Sequence, residues 1–147
     1  MPPESTPTLA ERLRALFRRL GAMTYDTLLL AGLLLVPTVL IVAARGGEPV
    51  PPGHPAYQSL LTLLVCGFYV LSWTRRRQTL GMRAWQLEVC HIDGRSLGVG
   101  AALARLVASL LSLAPAGAGY LWILIDRDGL AWHDRLTGTR VRFSANL

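Results

Sequence analysis

Asp26 is the ionisable side chain whose position most directly suggests chemistry. It lies in the apolar segment 20–44, where Tyr25 is the only other ionisable residue. At about 1.5 Å rise per residue Asp26 lies roughly 9 Å inside the apolar edge, where an ionised aspartate costs on the order of 2.5 to 3.5 kcal/mol or more. Carboxylates in such positions carry protons or bind cations in transporters. The alternative is that water reaches Asp26 at the edge of the membrane and that Arg18 and Arg19 are only topology signals.

Arg105 is the second charge within an apolar segment, residues 101–125. If both segments enter from the cytosolic side, Arg105 and Asp26 lie at matching depths of roughly 7 to 9 Å. Arginine stays charged when desolvated and can hold a carboxylate bidentately, so we predict an ion pair between Asp26 and Arg105. The alternative is that Arg105 extends alone to the lipid headgroups. Arg19 is two helical turns from Asp26, too far for a good direct contact within one helix.

The sequence does not predict an enzyme, a metal site or a cofactor. It contains no Walker loop, GxSxG elbow, HExxH motif or paired CxxC. His133 lies near Asp126, Asp128 and Asp134, but one histidine among turn-forming aspartates lacks metal-ligand spacing. No nucleophile and base stand in a recognisable pair, which argues against a catalytic residue anywhere in the chain.

The composition is that of a small membrane protein. Of 147 residues, 52% are hydrophobic and 16% are charged, which is too apolar for a soluble domain to cover itself with polar groups. The net charge of +6 comes from arginines beside apolar segments, without interleaved aromatic residues. This pattern favours the lipid bilayer and its anionic headgroups as partners and excludes nucleic acid.

Two apolar segments, about 20–44 and about 56–74, are long enough to span a bilayer as helices. A disordered tail is predicted for residues 1–10, and an interfacial helix for residues 11–20. The Gly/Pro loop 45–55 between the spans is nearly neutral. The arginines that flank the spans, and that we expect to contact headgroups, are Arg12, Arg14, Arg18, Arg75, Arg76 and Arg77. The positive-inside rule therefore places both outer ends of the helical pair in the cytosol.

The third apolar segment, residues 101–125, is interrupted by one proline and two glycines at 115–119. It either crosses the membrane as a third span or turns back as a re-entrant hairpin covered by the first two spans. A straight crossing would leave the arginines at 127, 135, 140 and 142 outside, against the positive-inside rule. The re-entrant alternative keeps them in the cytosol.

Two short stretches predict a small cytosolic β element. Residues 85–99 contain a strand at 87–92 followed by Asp93 and Gly94, a pair typical of a two-residue β-hairpin turn. Residues 139–143 alternate in polarity with the period of a half-buried strand. This strand could pair with residues 87–92, which requires both on the same side of the membrane and so favours the re-entrant topology.

Four motifs in order resemble the RDD family of small bacterial membrane proteins. They are RRLGAMTYD, QTLGMRAWQLEVCHIDG, ALARL and WILIDRDGLAWHDRLTGTRV, and together they cover residues 18–141. By position, Arg19 matches the family's arginine and Asp26 its first aspartate. The second aspartate corresponds either to Asp126 or to Asp134.

The resemblance implies a multi-pass protein of the bacterial inner membrane, of mostly unassigned function and suspected of transport. The expected fold is an all-α membrane protein with one domain, residues 11–143: two transmembrane helices, a broken third apolar segment and a small cytosolic β element, with the N-terminus cytosolic. The intramembrane charged motif comprises Arg19, Asp26, Arg105, Asp126 and Asp134.

The resemblance leaves two function classes open. The first is a transporter or transporter subunit, for which cation–proton exchange has been proposed in some family members. The second is a non-transporting accessory or regulatory subunit of a larger inner-membrane complex. Because two spans and a broken segment leave little room for a pathway, transport would require a homo-oligomer or another membrane protein.

Overall fold

The computed structural model describes residues 7–144. Its first helix, α1 (Leu9–Ala44), is 36 residues long. It begins with a capping box in which Thr8 and Glu11 bond each other's backbone N–H groups. This cap starts the helix before residue 10, so the tail predicted over residues 1–10 is wrong at its end, and residues 1–6 lie outside the described part. The interfacial helix and the first span are one continuous helix, because nothing between them terminates it.

The second long helix, α2 (Pro55–Arg76), is capped by His54 and has proline at its first position. Both α1 and α2 are long and apolar enough to cross a membrane, as predicted. The Thr38 and Tyr57 hydroxyls join the two helices across 2.9 Å. In the most apolar 18-residue stretch of each helix, 0% and 6% of residues are buried within the chain. The rest of the chain therefore covers almost none of the surface of the two spans.

The buried face of α1 lies in its first half. Leu16, Arg19, Ala22 and Asp26 are its buried residues, at helical spacing. The folded body of the protein packs against this face. The other half of α1 continues beyond that body with exposed apolar side chains, among them Leu35, Val36 and Leu40.

A short helix, α3 (Leu80–Ala84), leads into the first strand, β1 (Leu87–His91), which pairs antiparallel with β2 (Thr139–Phe143). The predicted pairing of the two stretches is confirmed, with Val89 opposite Val141. The hairpin predicted over residues 85–99 is wrong in its second half. A turn does form at Gly94, but the chain enters helix α4 (Val99–Leu113) before a return strand can form.

The third apolar segment is bent. Helix α4 is followed by α5 (Ala118–Leu121) and a 3₁₀ turn (Trp122–Leu124), and the two parts meet at 102°. Ala116 and Gly117 have positive φ angles of 50° and 79°. Pro115 and these two residues end α4, as their sequence predicts. The last helix, α6 (Trp132–Thr137), ends at Gly138 directly before β2.

The apolar core lies where the sheet meets α1, α2, α3 and α4. Its members are Ala22, Trp73, Met82, Leu87, Val89, Leu97, Ala102 and Leu106. On α4, Ala102 and Leu106 face this core, while Leu103, Val107, Leu110 and Leu111 are exposed. Helix α4 therefore packs one face against the core and leaves its other, apolar face exposed. Arg105 belongs to the buried face, so its side chain lies in the interior.

Candidate functional site

Asp134 is the centre of a buried cluster of charges. It lies in the first turn of α6, where its Oδ2 atom accepts a hydrogen bond from Ala131 N at 3.2 Å. The same oxygen accepts a hydrogen bond from Arg19 Nη1 of α1 at 2.5 Å. Arg105 Nη1 of α4 lies 2.8 Å from Oδ1, as an ion pair without hydrogen-bond geometry. One carboxylate thus joins three helices.

The cluster carries one excess positive charge, because two guanidiniums share one carboxylate. Burial alone would raise the pKa of Asp134, but Arg19 and Arg105 outweigh it and hold that pKa well below its ordinary value. Asp134 is therefore ionised. Buried charges of this kind are stable only when paired and hydrogen-bonded, so the three side chains depend on one another.

Arg105 has further partners in the interior. Its Nη1 donates a hydrogen bond to the Thr139 hydroxyl at the start of β2, and that hydroxyl lies 2.8 Å from Thr137 Oγ1. The guanidinium carbon lies 5.5 Å from the centre of the Trp73 ring of α2, in cation–π contact. Its Nε atom is buried and has no hydrogen-bond partner among the described residues. Arg105 therefore connects α2, α4, α6 and β2.

His133 is a neutral neighbour of the cluster. Its Nε2 atom lies 3.6 Å from Asp134 Oδ1, and its ring packs 4.6 Å from that of Tyr120. Burial lowers the pKa of His133 to about 3, with Arg105 and Arg19 adding to the effect and Asp134 opposing it. The imidazole is thus uncharged at neutral pH and adds no charge to the cluster.

The predicted ion pair between Asp26 and Arg105 is wrong. Asp26 is buried, but its Oδ2 accepts a hydrogen bond from the Thr79 hydroxyl at 2.5 Å and its Oδ1 from Gly81 N at 2.8 Å. Both donors belong to the start of α3. Depth matching compared only the apolar helices, and it missed that α3 and α6 bring nearer partners to the two charges.

Asp126 lies apart from the cluster. Its Oδ1 accepts a hydrogen bond from Arg135 Nε at 2.7 Å, and its Oδ2 accepts from the N–H groups of Asp128 and Leu130. Burial tends to raise the pKa of Asp126, but Arg135 and the backbone donors lower it overall. Asp126 thus organises the loop before α6. Of the two candidates for the family's second aspartate, only Asp134 contacts Arg19.

The arginines predicted to contact headgroups fall into two groups. Arg14, Arg75 and Arg76 are exposed. The others make contacts within the chain: Arg12 donates to the Leu124 carbonyl, Arg18 stacks 4.3 Å from the centre of the Phe143 ring, and Arg77 donates to the Gly94 carbonyl. Headgroup binding stays a prediction for all six.

A cavity of about 210 Å³ is lined both by Asp26 and by Arg19 and Arg105 of the Asp134 cluster. Its polar lining includes Arg19, Asp26, Thr79, Arg105, Tyr120 and His133. The lining residues that are also exposed are Thr27 of α1 and Leu110 and Leu113 of α4, which come after the charged residues along their helices. The cavity therefore has a charged inner end and an apolar, open outer end.

Sequence reasoning missed the polar partners that hold these charges. Thr79 carries a weak signal, because it is the N-cap residue of α3 and threonine is favoured at that position. Thr139 begins a strand and carries no such signal. Gly81 carries none, because its role is a backbone N–H. Within residues 7–144 no group of three or more His, Cys, Asp or Glu side chains could hold a metal ion.

The comparison with protein families identifies the chain. Its residues 13–138 match the model of the RDD family. The comparisons with curated proteins and with solved structures found no match. The matched range contains Arg19, Asp26, Arg105, Asp126 and Asp134, together with all of α2 and all but the first four residues of α1. Because it covers most of the chain, the protein belongs to the RDD family of membrane proteins.

Proposed function

We propose that the protein is a proton-coupled transporter, or a subunit of one, in the bacterial inner membrane. The observation that carries the proposal is the cavity that is lined by Asp26 and by the two arginines of the Asp134 cluster and that opens beside exposed leucines of α4. A binding cavity with titratable groups at the membrane boundary is what coupled transport needs. The proposal includes no catalytic step and no cofactor.

Asp26 is the proton-carrying group in this proposal. Its partners, Thr79 and Gly81, are neutral donors, so protonation would not leave an arginine without its counter-charge. When Asp26 and Asp134 are both ionised they balance Arg19 and Arg105. Protonation of Asp26 leaves the cavity with one excess positive charge, which favours entry of an anion.

Cation–proton exchange is the other form of coupling. In that form the cation would take the place of the proton on Asp26 and displace the hydrogen bonds from Thr79 and Gly81. The two guanidiniums at the same cavity oppose a cation. We therefore favour proton transfer linked to an anion.

The proposed topology has both outer ends of the helical pair in the cytosol and residues 45–55 outside. The arginine distribution supports it. The pairing of β1 with β2 also supports it, because the two strands flank the bent segment and a sheet needs both strands on one side of the membrane. We propose that residues 99–124 form a re-entrant unit and not a third span.

A second candidate function is that of an accessory subunit. The nearly bare spans favour it, since 0% and 6% of their most apolar stretches are buried within the chain. Such surfaces face lipid or another membrane protein. For the transporter, the same surfaces would form a homo-oligomer.

The test is proton flux in liposomes that contain the purified protein and a pH-sensitive dye. With an imposed pH gradient, we expect Asp26→Asn to abolish the flux, because the group that carries the proton is lost. The matched control is Asp93→Asn, which changes an exposed turn aspartate paired with Arg95. Flux that survives Asp26→Asn, or no flux from the folded parent protein, would favour the accessory role.

A further inference from the structure

Three buried polar atoms around the cavity have no hydrogen-bond partner within residues 7–144. They are Trp73 Nε1, Arg105 Nε and His133 Nδ1. Their residues all line the cavity and are only 6%, 3% and 3% exposed. An unpartnered buried donor costs about 1–3 kcal/mol, so groups of this kind mark a place for a ligand. Trp73 Nε1 and Arg105 Nε are donors in every protonation state relevant here.

The charges at this end of the cavity favour an anion. Arg19 and Arg105 share the single carboxylate of Asp134, which leaves one positive charge over. Asp26 is the carboxylate among the residues that line the cavity, and each of its oxygens already accepts a hydrogen bond, from Thr79 or from Gly81. Guanidinium groups match the geometry of phosphate oxygens, and a desolvated arginine stays charged.

The outer end of the cavity is apolar and faces away from the folded body. Leu110 and Leu113 line it and are 62% and 50% exposed. They lie about one and a half and about two turns beyond Arg105 on α4, so roughly 8 to 12 Å separates the charged end from the open end. A soluble anion would gain nothing from this opening, whereas a lipid could place its headgroup inside and its chains between α1 and α4.

We propose that the cavity binds the phosphate headgroup of an anionic membrane lipid, entering from the bilayer between α1 and α4. The phosphate oxygens accept hydrogen bonds from Arg105 Nε and Trp73 Nε1. The glycerol and the first carbons of the acyl chains contact Leu110 and Leu113. The inference rests on the proposed use of this cavity as a binding site, but binding can be measured without flux.

The test is lipid binding to the detergent-solubilised protein, followed by native mass spectrometry with phosphatidic acid and phosphatidylcholine as probes. We expect tighter binding of phosphatidic acid. Leu110→Trp narrows the opening and should weaken that binding about tenfold or more. Leu111→Trp is the matched control, because Leu111 is 61% exposed on the same helix but does not line the cavity. Neither change alters the exposed arginines.

A second variant tests the headgroup contact. Trp73→Phe keeps an aromatic ring in the core and removes only the indole N–H. Since a hydrogen bond to a charged group is worth about 1.5–3 kcal/mol, phosphatidic acid should bind roughly tenfold or more weakly. Phosphatidylcholine binding should change little.

Several results would overturn the inference. They are equal binding of the two lipids, equal loss in Leu110→Trp and Leu111→Trp, or full competition by millimolar inorganic phosphate, which would indicate a soluble anion. Flux that depends on Asp26, together with no lipid selectivity, would remove this inference and keep the proposed function. Selective lipid binding without any flux would do the reverse.

Discussion

At the scale of residues, one carboxylate holds two buried guanidiniums. Asp134 is fully buried and contacts Arg19 and Arg105 from two different helices. Placing charges in a low-dielectric interior is costly, and the attraction between them offsets that cost only while every partner is present. The stability of the domain should therefore be more sensitive to the loss of one partner than to the loss of a pair.

The first prediction is that Asp134 and Arg105 are energetically coupled. Asp134→Asn leaves two buried guanidiniums without a counter-charge and should lower the free energy of unfolding by roughly 3–5 kcal/mol. Combined with Arg105→Gln, the loss should be clearly smaller than the sum of the single losses. The measurement is thermal unfolding in mild detergent of the parent protein, the two single variants and the double variant.

The control is a second double-mutant cycle, in which Asp26→Asn takes the place of Asp134→Asn. Asp26 binds Thr79 and Gly81, not Arg105, so its cycle with Arg105→Gln should show a smaller coupling. A larger coupling for Asp26 than for Asp134 would contradict the pairing of Asp134 with Arg105.

The second prediction concerns pH. The pKa of His133 falls from 6.5 to about 3 on folding, chiefly through burial. Between those values the unfolded chain holds a proton that the folded chain lacks, so stability falls as pH falls below about 6.5, by about 1.4 kcal/mol per pH unit. The lowered pKa values of Asp134 and Asp126 reduce the stability only when the pH falls to about 3.8, the ordinary pKa of an aspartate, or below.

The measurement is the melting temperature in detergent from pH 7.5 to pH 5. We expect the fall with acid to be flatter in His133→Asn than in the parent protein. His54→Asn is the matched control, since it removes an exposed histidine and leaves a residue that can also cap α2. Equal slopes in the parent and in His133→Asn would contradict the prediction.

The sequence identified the charges of the site better than their partners. Asp26, Arg105 and Asp134 were all expected to matter, and each is buried. The pairing failed because a sequence gives depth along a helix but not the position of short elements such as α3. The donor to Asp26 that no sequence pattern reveals is the backbone N–H of Gly81, which depends on tertiary packing alone.

At the scale of elements, the close contact of α3 with α1 holds Asp26 in place. Gly81 packs so tightly that an added Cβ would overlap the Ala22 carbonyl oxygen and lie 2.8 Å from the Asp26 carboxyl carbon. The backbone oxygen cannot rotate away, unlike a flexible side chain. This contact explains why a glycine occupies the first turn of a helix, where it is otherwise unfavourable.

The third prediction is that Gly81→Ala separates α3 from α1. Overpacking of this kind should lower the free energy of unfolding by roughly 1–3 kcal/mol. Gly32→Ala is the matched control, because it is also helical and an added Cβ there meets nothing within 4 Å. Thermal unfolding of both variants is the measurement, and a Gly81→Ala variant as stable as Gly32→Ala would show that the contact is not restrictive.

The small sheet illustrates what local patterns can and cannot predict. Alternating polarity correctly predicted β2 and its pairing with β1. The two-residue period of a strand can be recognised within a few consecutive residues, so it needs no knowledge of the rest of the fold. The Asp93–Gly94 pair correctly predicted a turn but not the helix that comes after it. The start of α4 at Val99 leaves too few residues for a second strand, and helix starts without a capping side chain, like this one at Gly98, are hard to locate from sequence.

At the scale of the whole molecule, the packed core lies at one end of the protein and the exposed apolar parts of the long helices extend away from it. The buried residues of α1 end at Asp26, and the remaining 18 residues extend about 27 Å, close to the thickness of the hydrocarbon layer. In the proposed topology, the charged cluster therefore lies at the membrane boundary and not at its centre. This position relieves much of the cost that a carboxylate at greater depth would carry.

The last prediction concerns the side on which the ends of the bent segment lie. Because β1 pairs with β2 and a two-stranded sheet does not form across a bilayer, we expect the loop at residue 96 and the turn at residue 128 to lie on one side of the membrane. In a protein with Cys66 and Cys90 replaced, we expect an impermeant thiol reagent to label Glu48→Cys in intact cells. Ser96→Cys and Asp128→Cys should react only after permeabilisation.

These three positions distinguish re-entry from a third crossing, since all of them are exposed within the chain. Labelling of Asp128→Cys but not Ser96→Cys in intact cells would mean that residues 99–124 cross the membrane, and the paired strands could not then exist. Labelling of both, with Glu48→Cys protected, would invert the orientation but keep the re-entrant unit. Whether residues 96 and 128 are labelled from the same side is therefore the sharper test of the re-entrant unit. Its outcome depends on the pairing of the strands and not on the arginines that set the orientation.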